Sequence, residues 1–317
     1  MDPTMSSNSL VLVDGHAIVY RAYHAFPPLT TPDGELVNAV YGFSRIVLKF
    51  LKDLKPTHIA VAFDMPKPTF RHTQFAGYKA QRKETPTELI AQLGRVREVV
   101  DALGIPTFGV EGYEADDVIG TIAWRLASSA HGPKVVIATG DKDAFQLVVD
   151  EKVTVYTPPT QYESAKEYDE KMVEEKMGIP PSLIVDYKGL AGDPSDNIPG
   201  VRGVGAKTAV TLLKLFGSID GLYKALSSPD SLSPEQRAVL KPKLLSNLAE
   251  GQDSALMSRE LARIDCNVPL SFTLDDCVVT KYDKAKTVTL FETLGFHSLV
   301  PQLPNDDYES SIQDALF

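Results

Sequence analysis

Cysteine is scarce in this sequence: among 317 residues only Cys266 and Cys277 are present. A disulfide framework is thereby excluded, and a reducing compartment is favoured. No apolar run approaches the ~18 residues that a membrane-spanning helix needs. Met1 to Leu10 holds no basic residue and no apolar segment ahead of the first strand-like run. Neither a secretory signal nor an Arg-rich transit peptide is read there. A bacterial cytoplasm fits, as does a plastid or mitochondrion after loss of a presequence. Low-complexity tracts and internal repeats are lacking too. The six histidines (16, 24, 58, 72, 131 and 297) are scattered, and no Cys–His spacing matches a zinc site.

What is present is an ordinary globular composition, 43% hydrophobic and 23% charged, in a chain long enough for about two domains. The net charge of −10 speaks against nucleic acid only if the charges are mixed. They are segregated. From Lys67 to Arg97 seven basic residues (67, 71, 79, 82, 83, 95, 97) face two acidic ones (84, 88). Acidic residues gather instead at the ends of apolar runs.

Leu10–Val13 reads as a buried strand followed by a turn at Asp14-Gly15-His16, and Ile59–Phe63 as a second strand. Residues 104–108 and 134–138 predict two more. Helical spacing of apolar residues marks 38–54, 87–103, 114–127 and a short helix at 141–148. Strands alternating with helices predict a doubly wound, mainly parallel sheet. The alternation stops near Tyr156–Pro159. Beyond Pro180-Pro181 only helices are expected, at about 182–191, 206–216, 219–226, 235–249, 252–263 and 284–294. The boundary is placed near 180, and residues 301–317 are expected to form a flexible tail.

In open α/β sheets ligands bind outside the carboxyl ends of the strands. Asp14, Asp64, and Asp141 with Asp143 stand at such ends, and Glu114-Ala115-Asp116-Asp117 opens a helix. Asp193 and Asp196 lie on a loop entering the helical part. One acid at a helix start is ordinarily a cap. Nine converging carboxylates repel one another unless cations neutralise them. An oxygen-only set suits Mg²⁺, with Mn²⁺ as a substitute. With no nucleophilic Ser or Cys constellation, the set points to hydrolysis assisted by two metal ions.

Two further features suggest a phosphodiester substrate. Phe70-Arg71-His72, Phe75, Tyr78-Lys79 and Arg82-Lys83 mix cations with aromatics directly after Asp64. Lys79 and Arg82, three apart, can address one phosphate. Gly203-Val204-Gly205-Ala206-Lys207 forms a glycine turn ahead of a helix, which lets backbone N–H groups approach a phosphate. It follows no strand and lacks a third glycine, so a dinucleotide site is not read there.

Val13-Asp14-Gly15, Ala62-Phe63-Asp64, Phe70-Arg71, Tyr78-Lys79-Ala80-Gln81-Arg82, Glu114-Ala115-Asp116-Asp117, Thr139-Gly140-Asp141-Lys142-Asp143 and Gly192-Asp193 through Ala209 follow in that order. Over about residues 9–297 this series resembles the 5′-3′ exonuclease (flap endonuclease) family, known as the N-terminal nuclease domain of bacterial DNA polymerase I and as stand-alone phage and organellar relatives. The resemblance implies a PIN-like α/β nuclease domain at 9–180 with a basic arch at about 67–97. It also implies a helix-hairpin-helix domain at 181–300. It implies a first metal site of Asp14, Asp64, Glu114 and Asp116, and a second of Asp117, Asp141, Asp143, Asp193 and Asp196. Lys79 and Arg82 would steady the scissile phosphate, and Tyr78 would stack on a base. Arg21 and Arg71 are phosphate-contact candidates, while Gly203, Gly205 and Lys207 would hold duplex DNA, with K⁺ at the hairpin.

The implied activity is removal of RNA primers and 5′ flaps, with branched DNA as partner and a monomer as the expected state. A DNA polymerase or sliding clamp is left open as a partner. Gln313-Asp314-Ala315-Leu316-Phe317 faintly resembles a clamp-binding peptide. No polymerase segment follows residue 300, which fits a stand-alone enzyme or an excised domain. Two other readings stand beside it: a branched-DNA clamp that does not cut, and a PIN-like single-strand ribonuclease.

Overall fold

The computed structural model describes residues 8–159 and 163–309. The clamp-like peptide at 313–317 lies outside the described residues. Six strands form one sheet in the order β3-β2-β1-β4-β5-β6. They are β1 (Ser9–Asp14), β2 (His58–Ala62), β3 (Thr107–Phe108), β4 (Lys134–Ala138), β5 (Val153–Thr157) and β6 (Lys166–Tyr168). The first five are parallel; β6 runs antiparallel to β5.

Both faces of the sheet are covered. Along β1 the side chains alternate: Val11 and Val13 enter one apolar cluster, Leu10 and Leu12 the other. Helices α1 (Gly15–Ala25), α2 (Asn38–Leu54), the short α3 (Phe70–Gln74) and α4 (Thr87–Ala102) come before β3 in the chain. The first cluster receives residues from α1, α2 and α4, including Ile18, Phe43, Phe50 and Val96. The second receives α5 (Ala115–Ala127) through Val118, Ile119 and Ile122, and α6 (Glu170–Met177) through Val173.

The helical part comprises α7 (Ile184–Ala191), α8 (Ala206–Phe216), α9 (Ile219–Leu226), α10 (Pro234–Val239), α11 (Pro242–Glu250) and α12 (Gln252–Ala262). It has an apolar core of its own around Leu190, Leu212, Leu213, Leu222 and Leu248. No helix among the described residues is long and apolar enough to cross a membrane.

Four differences from the sequence reading have local causes. The turn expected at Asp14–His16 is the start of α1, capped by Asp14, whose Oδ1 accepts the Ala17 N–H at 3.0 Å. Gly15 is needed for packing, since a Cβ there would sit 2.4 Å from the Phe63 ring. The single helix expected at 235–249 is broken because Pro242 forces Lys241 into extended backbone, ψ 152°. The segment expected to be helical at 141–148 is a 3₁₀ turn over Asp143–Leu147. Last, α13 (Lys284–Thr293) and the residues after it do not pack with the helical part: Phe291, Phe296 and Leu299 are buried in the first sheet cluster. The chain therefore returns to the sheet, and 181–300 does not pack as one helical body.

Candidate metal centre and nucleic-acid interface

The parallel strands end on one edge, and the acids collect there. Asp14, Asp64, Glu114, Asp116 and Asp141 line a cavity of about 730 Å³, together with His16, Lys79, Arg82 and Lys83. A tight cleft of about 20 Å³ shares Glu114, Asp116 and Asp141 with it and adds Asp143 and Asp196. Asp143, Asp193 and Asp196 each offer an oxygen, and these oxygens lie within 4.8 Å of one another.

Several of the carboxylates are held by neighbouring N–H and hydroxyl groups. Asp14 caps α1 and also accepts the Thr139 hydroxyl at 2.9 Å. Asp64 Oδ1 accepts the Ala115 N–H at the start of α5, at 2.8 Å. The Asp64 N–H donates to His16 Nδ1 at 3.0 Å, which fixes a neutral imidazole; burial lowers the pKa of that histidine. Asp141 Oδ1 accepts the Asp143 N–H at 2.9 Å. Gly192, at φ 73°, ends α7 and turns Asp193 into a bridge with Ile198; a Cβ there would meet the Ile198 carbonyl at 2.6 Å.

Crowding raises these acids. Burial lifts Asp14 to about 6 against the bonds from Ala17 and Thr139, with help from Asp64 and Asp141. Burial lifts Asp143 to about 6 as well, opposed by Lys188 and reinforced by Asp141. Asp116 is driven well above the carboxylate range by burial and then by Asp14, Asp141, Asp143 and Glu114. Ionising Asp14 or Asp143 in the fold carries a penalty that is absent below about pH 4 and complete once pH passes about 6. Divalent ions offset it. The rise in melting temperature on adding Mn²⁺ should therefore grow from about pH 5 to about pH 7. The lowered His16 and His58 shift stability the other way. His58 lies outside the cavity and cancels in this difference, whereas an ion on Asp64 removes the charge that raises His16, lowers it further and so adds to the rise. A rise that is flat or shrinks with pH would contradict the account.

Cations from the 67–83 segment reach into the same edge. Lys79 Nζ pairs with Glu114 Oε1 at 2.7 Å, and Arg82 Nη2 with Asp196 Oδ1 at 2.5 Å. Lys79 has a left-handed backbone, φ 55°, held by its N–H to the Asp196 carbonyl at 2.9 Å. Asn197 Nδ2 donates to the Gly77 carbonyl at 2.7 Å, and Gln81 Nε2 to Asn197 Oδ1 at 2.9 Å. The segment around 77–82 is thus stitched to the helical part.

Several assignments from sequence need correction. Asp117 is fully buried and turned away from the other acids. Its oxygens accept both Arg71 guanidinium nitrogens, at 2.8 and 2.7 Å, and the N–H groups of Glu114 and Asp265. No lone pair is left for an ion. Arg71 is 3% exposed and also donates to the carbonyls of Leu261 and Arg263, so it is not free to meet a phosphate. Tyr78 is 3% exposed as well, and its hydroxyl donates to Glu114 and Asp196. Burial and those two acids raise its pKa, keeping the proton in place, and its ring is not available for stacking.

Arg21 donates to the carbonyls of Pro158 and Pro159 and lines a neighbouring cavity of about 340 Å³ with Arg45 and Lys49, outside the acid pocket. Arg202, Gly203, Gly205 and Lys207 are exposed, with Gly203 at φ 80° and Gly205 opening α8. Nothing lies within 4 Å of where a Gly205 Cβ would stand, so that face is open.

Matches to known families divide the chain in the same order as its two architectures. Residues 9–178 match the 5′-3′ exonuclease N-terminal resolvase-like domain, and residues 179–285 match the 5′-3′ exonuclease C-terminal SAM fold. The chain belongs to the 5′-3′ exonuclease family. DNA polymerase I of Bacillus subtilis (strain 168) is 43% identical over 307 residues, which cover 97% of this chain and 33% of the relative. That of Geobacillus stearothermophilus is 44% identical over 296 residues, 93% of this chain and 32% of the relative. The chain spans about a third of the length of these curated relatives.

Solved 5′-exonuclease relatives share the fold. The bacteriophage T5 D15 protein crystallised with metal ions gives a TM-score of 0.64 at 22% identity, covering 90% of this chain and 99% of that one. The T5 D15 flap endonuclease in a complex with DNA and metal ions gives 0.65 at 20%, covering 91% and 100%. The mainly parallel sheet with a helical C-terminal domain, expected from sequence, is the fold of this exonuclease family.

Sequence reasoning missed Lys188, Thr139 and His16. Lys188 lies in the last turn of α7, five residues before Asp193, and its ammonium contacts both Asp143 and Asp193. A lone lysine on a helix gives no signal by itself; its nearness in sequence to Asp193 was the available clue.

Proposed function

We propose that this chain is a 5′ nuclease that cuts DNA or RNA phosphodiesters where a 5′ single strand or flap meets duplex DNA, with Mg²⁺ as its ion and Mn²⁺ as a substitute. One observation carries the reading. Five carboxylates form the floor of a 730 Å³ cavity that Lys79, Arg82 and Lys83 flank. Oxygen donors with no His or Cys ligand among them fit hard divalent ions, and the raised Asp14 and Asp116 have no ion-pair partner among the described residues. The donor set therefore fits the expected ions: Asp14, Asp64, Glu114 and Asp116 around one, and Asp141, Asp143, Asp193 and Asp196 around the other. Asp117 is left out. Ions bound there supply an activated water and neutralise charge on the phosphate.

The protein's own groups do the rest. Thr139 and Ala115 orient Asp14 and Asp64. Lys79 and Arg82, now held by Glu114 and Asp196, are placed to turn to the scissile phosphate once those acids are neutralised otherwise. The open face at Gly205, with Arg202, Gly203 and Lys207 exposed beside it, is the surface for duplex backbone, and K⁺ is assigned to the same turn. Residues 9–180, joined by Asp193 and Asp196, carry the chemistry, and the helices from 181 to about 263 the duplex grip. A T5 flap endonuclease of the same fold was solved with DNA and metal ions, which supports a metal-dependent reading.

The test is cleavage of a 5′-labelled double-flap DNA with Mg²⁺, beside a metal-free control and an unpaired RNA of equal length. Metal-dependent cutting at the junction is expected. Tight binding without cutting would favour a clamp module, and preferential cutting of the unpaired RNA would favour a single-strand ribonuclease.

A further inference from the structure

The second carboxylate group already holds a cation, and it belongs to the protein. Lys188 Nζ is 2.6 Å from Asp193 Oδ2 and in closer contact with Asp143 Oδ1. These are two of the three acids whose oxygens gather within 4.8 Å. The third, Asp196, is occupied by Arg82 and the Tyr78 hydroxyl. Lys188 is largely buried, and it reaches this point from the last turn of α7, while Gly192 folds Asp193 back toward it. An ammonium is a compact point charge with three donors, close to a small divalent ion in the oxygens it attracts. The two compete for the same lone pairs of Asp143 and Asp193.

We propose that Lys188 is the resident cation of the Asp143–Asp193–Asp196 group, and that a second divalent ion enters only by displacing its ammonium. The inference rests on the two-ion reading above. It makes that position conditional. With Lys188 in place, Asp143 and Asp193 are neutralised well enough for the fold to tolerate them. An ion arriving there must release the lysine, which keeps its charge and its tether on α7. Whatever gives the freed ammonium a new partner, a nucleic-acid phosphate above all, favours the exchange. Occupancy of the second position and binding of the substrate are thereby linked, and by reciprocity each strengthens the other. An enzyme of this design keeps its second ion weakly bound until a phosphodiester is present.

The experiment is direct Mn²⁺ binding to the whole chain without nucleic acid, read by the paramagnetic resonance signal of free Mn²⁺, for the unaltered protein and for Lys188→Met. The substitution removes the charge and keeps much of the volume. The first Mn²⁺ should bind equally in both, and the second should bind roughly tenfold or more tightly in Lys188→Met. In parallel, acetylation of Lys188 in the unaltered protein, read by mass spectrometry, should be slow without metal and increase severalfold at saturating Mn²⁺. This arm does not depend on the variant folding. A second affinity unchanged by Lys188→Met, or acetylation indifferent to Mn²⁺, overturns the role of Lys188 while leaving two ions in place. Absence of any Mn²⁺ binding to either protein overturns the two-ion reading itself, and this inference with it.

Discussion

Asp116→Asn should abolish cleavage and, in the same sample without metal, raise the melting temperature. The two effects have one cause. Asp116 faces Asp14, Asp141, Asp143 and Glu114, and their combined charge with burial drives its pKa well above the ordinary range. An amide there removes a repelling charge and gains donors for its neighbours, so the metal-free fold relaxes. The same change deletes a carboxylate shared by the large cavity and the tight cleft. Turnover on a flap substrate should fall by roughly 10³-fold or more, with binding in Ca²⁺ preserved. Single-turnover cleavage and metal-free thermal melting check both halves. Wild-type cleavage would remove Asp116 from the site, and a lowered metal-free melting temperature would show that its charge is not the strained one.

Arg71→Ala should have the largest effect on stability. The guanidinium makes a two-pronged pair with Asp117, donates to the carbonyls of Leu261 and Arg263, and is almost wholly buried. Removing it leaves the fully buried Asp117 charge with only the N–H groups of Glu114 and Asp265. Breaking one side of such a pair costs about 3–5 kcal/mol. Because Arg71 also joins α3 to the end of α12, the loss should appear as a lower urea midpoint for the sheet and helical parts together. If the midpoint is unchanged and DNA affinity alone drops, Arg71 is a contact residue and the buried pair is incidental.

How far the sequence could be read follows from what each signal encodes. The apolar runs of β1, β2 and β4 and the spacing in α2, α8 and α9 report burial directly, and those elements lie where the pattern predicts. Acids at strand ends were legible because sheet topology places strand ends together. Direction was not legible. Asp116 and Asp117 are adjacent on α5, about 100° apart around the axis; one looks into the cavity and the other into the interior. Arg71 and Tyr78 look like nucleic-acid ligands by residue type, yet each has a buried carboxylate partner that only tertiary structure supplies. Lys188 was invisible for the same reason. The return of α13 to the sheet was hidden because a helix that caps another domain has the same periodicity as one that continues its own.

That return gives the helical part a particular standing in the molecule. Residues 264–303 rejoin the sheet clusters after α12, and Pro181 and Ser182 on the way out share a surface hollow with Arg263, Ile264 and Asp265 on the way back. The helices are therefore an insertion whose two stems run side by side, with an apolar core separate from the one they interrupt. A body joined through two adjacent stems, and pinned to the sheet part by Arg71 and Lys188, cannot drift away as a pendant domain does. Any displacement of that body would pull on the stitches from Gly77 and Lys79 to Asn197 and Asp196, and so would move Lys79 against Glu114. The helical part and the acid pocket are thus joined by a short chain of hydrogen bonds ending in one ion pair.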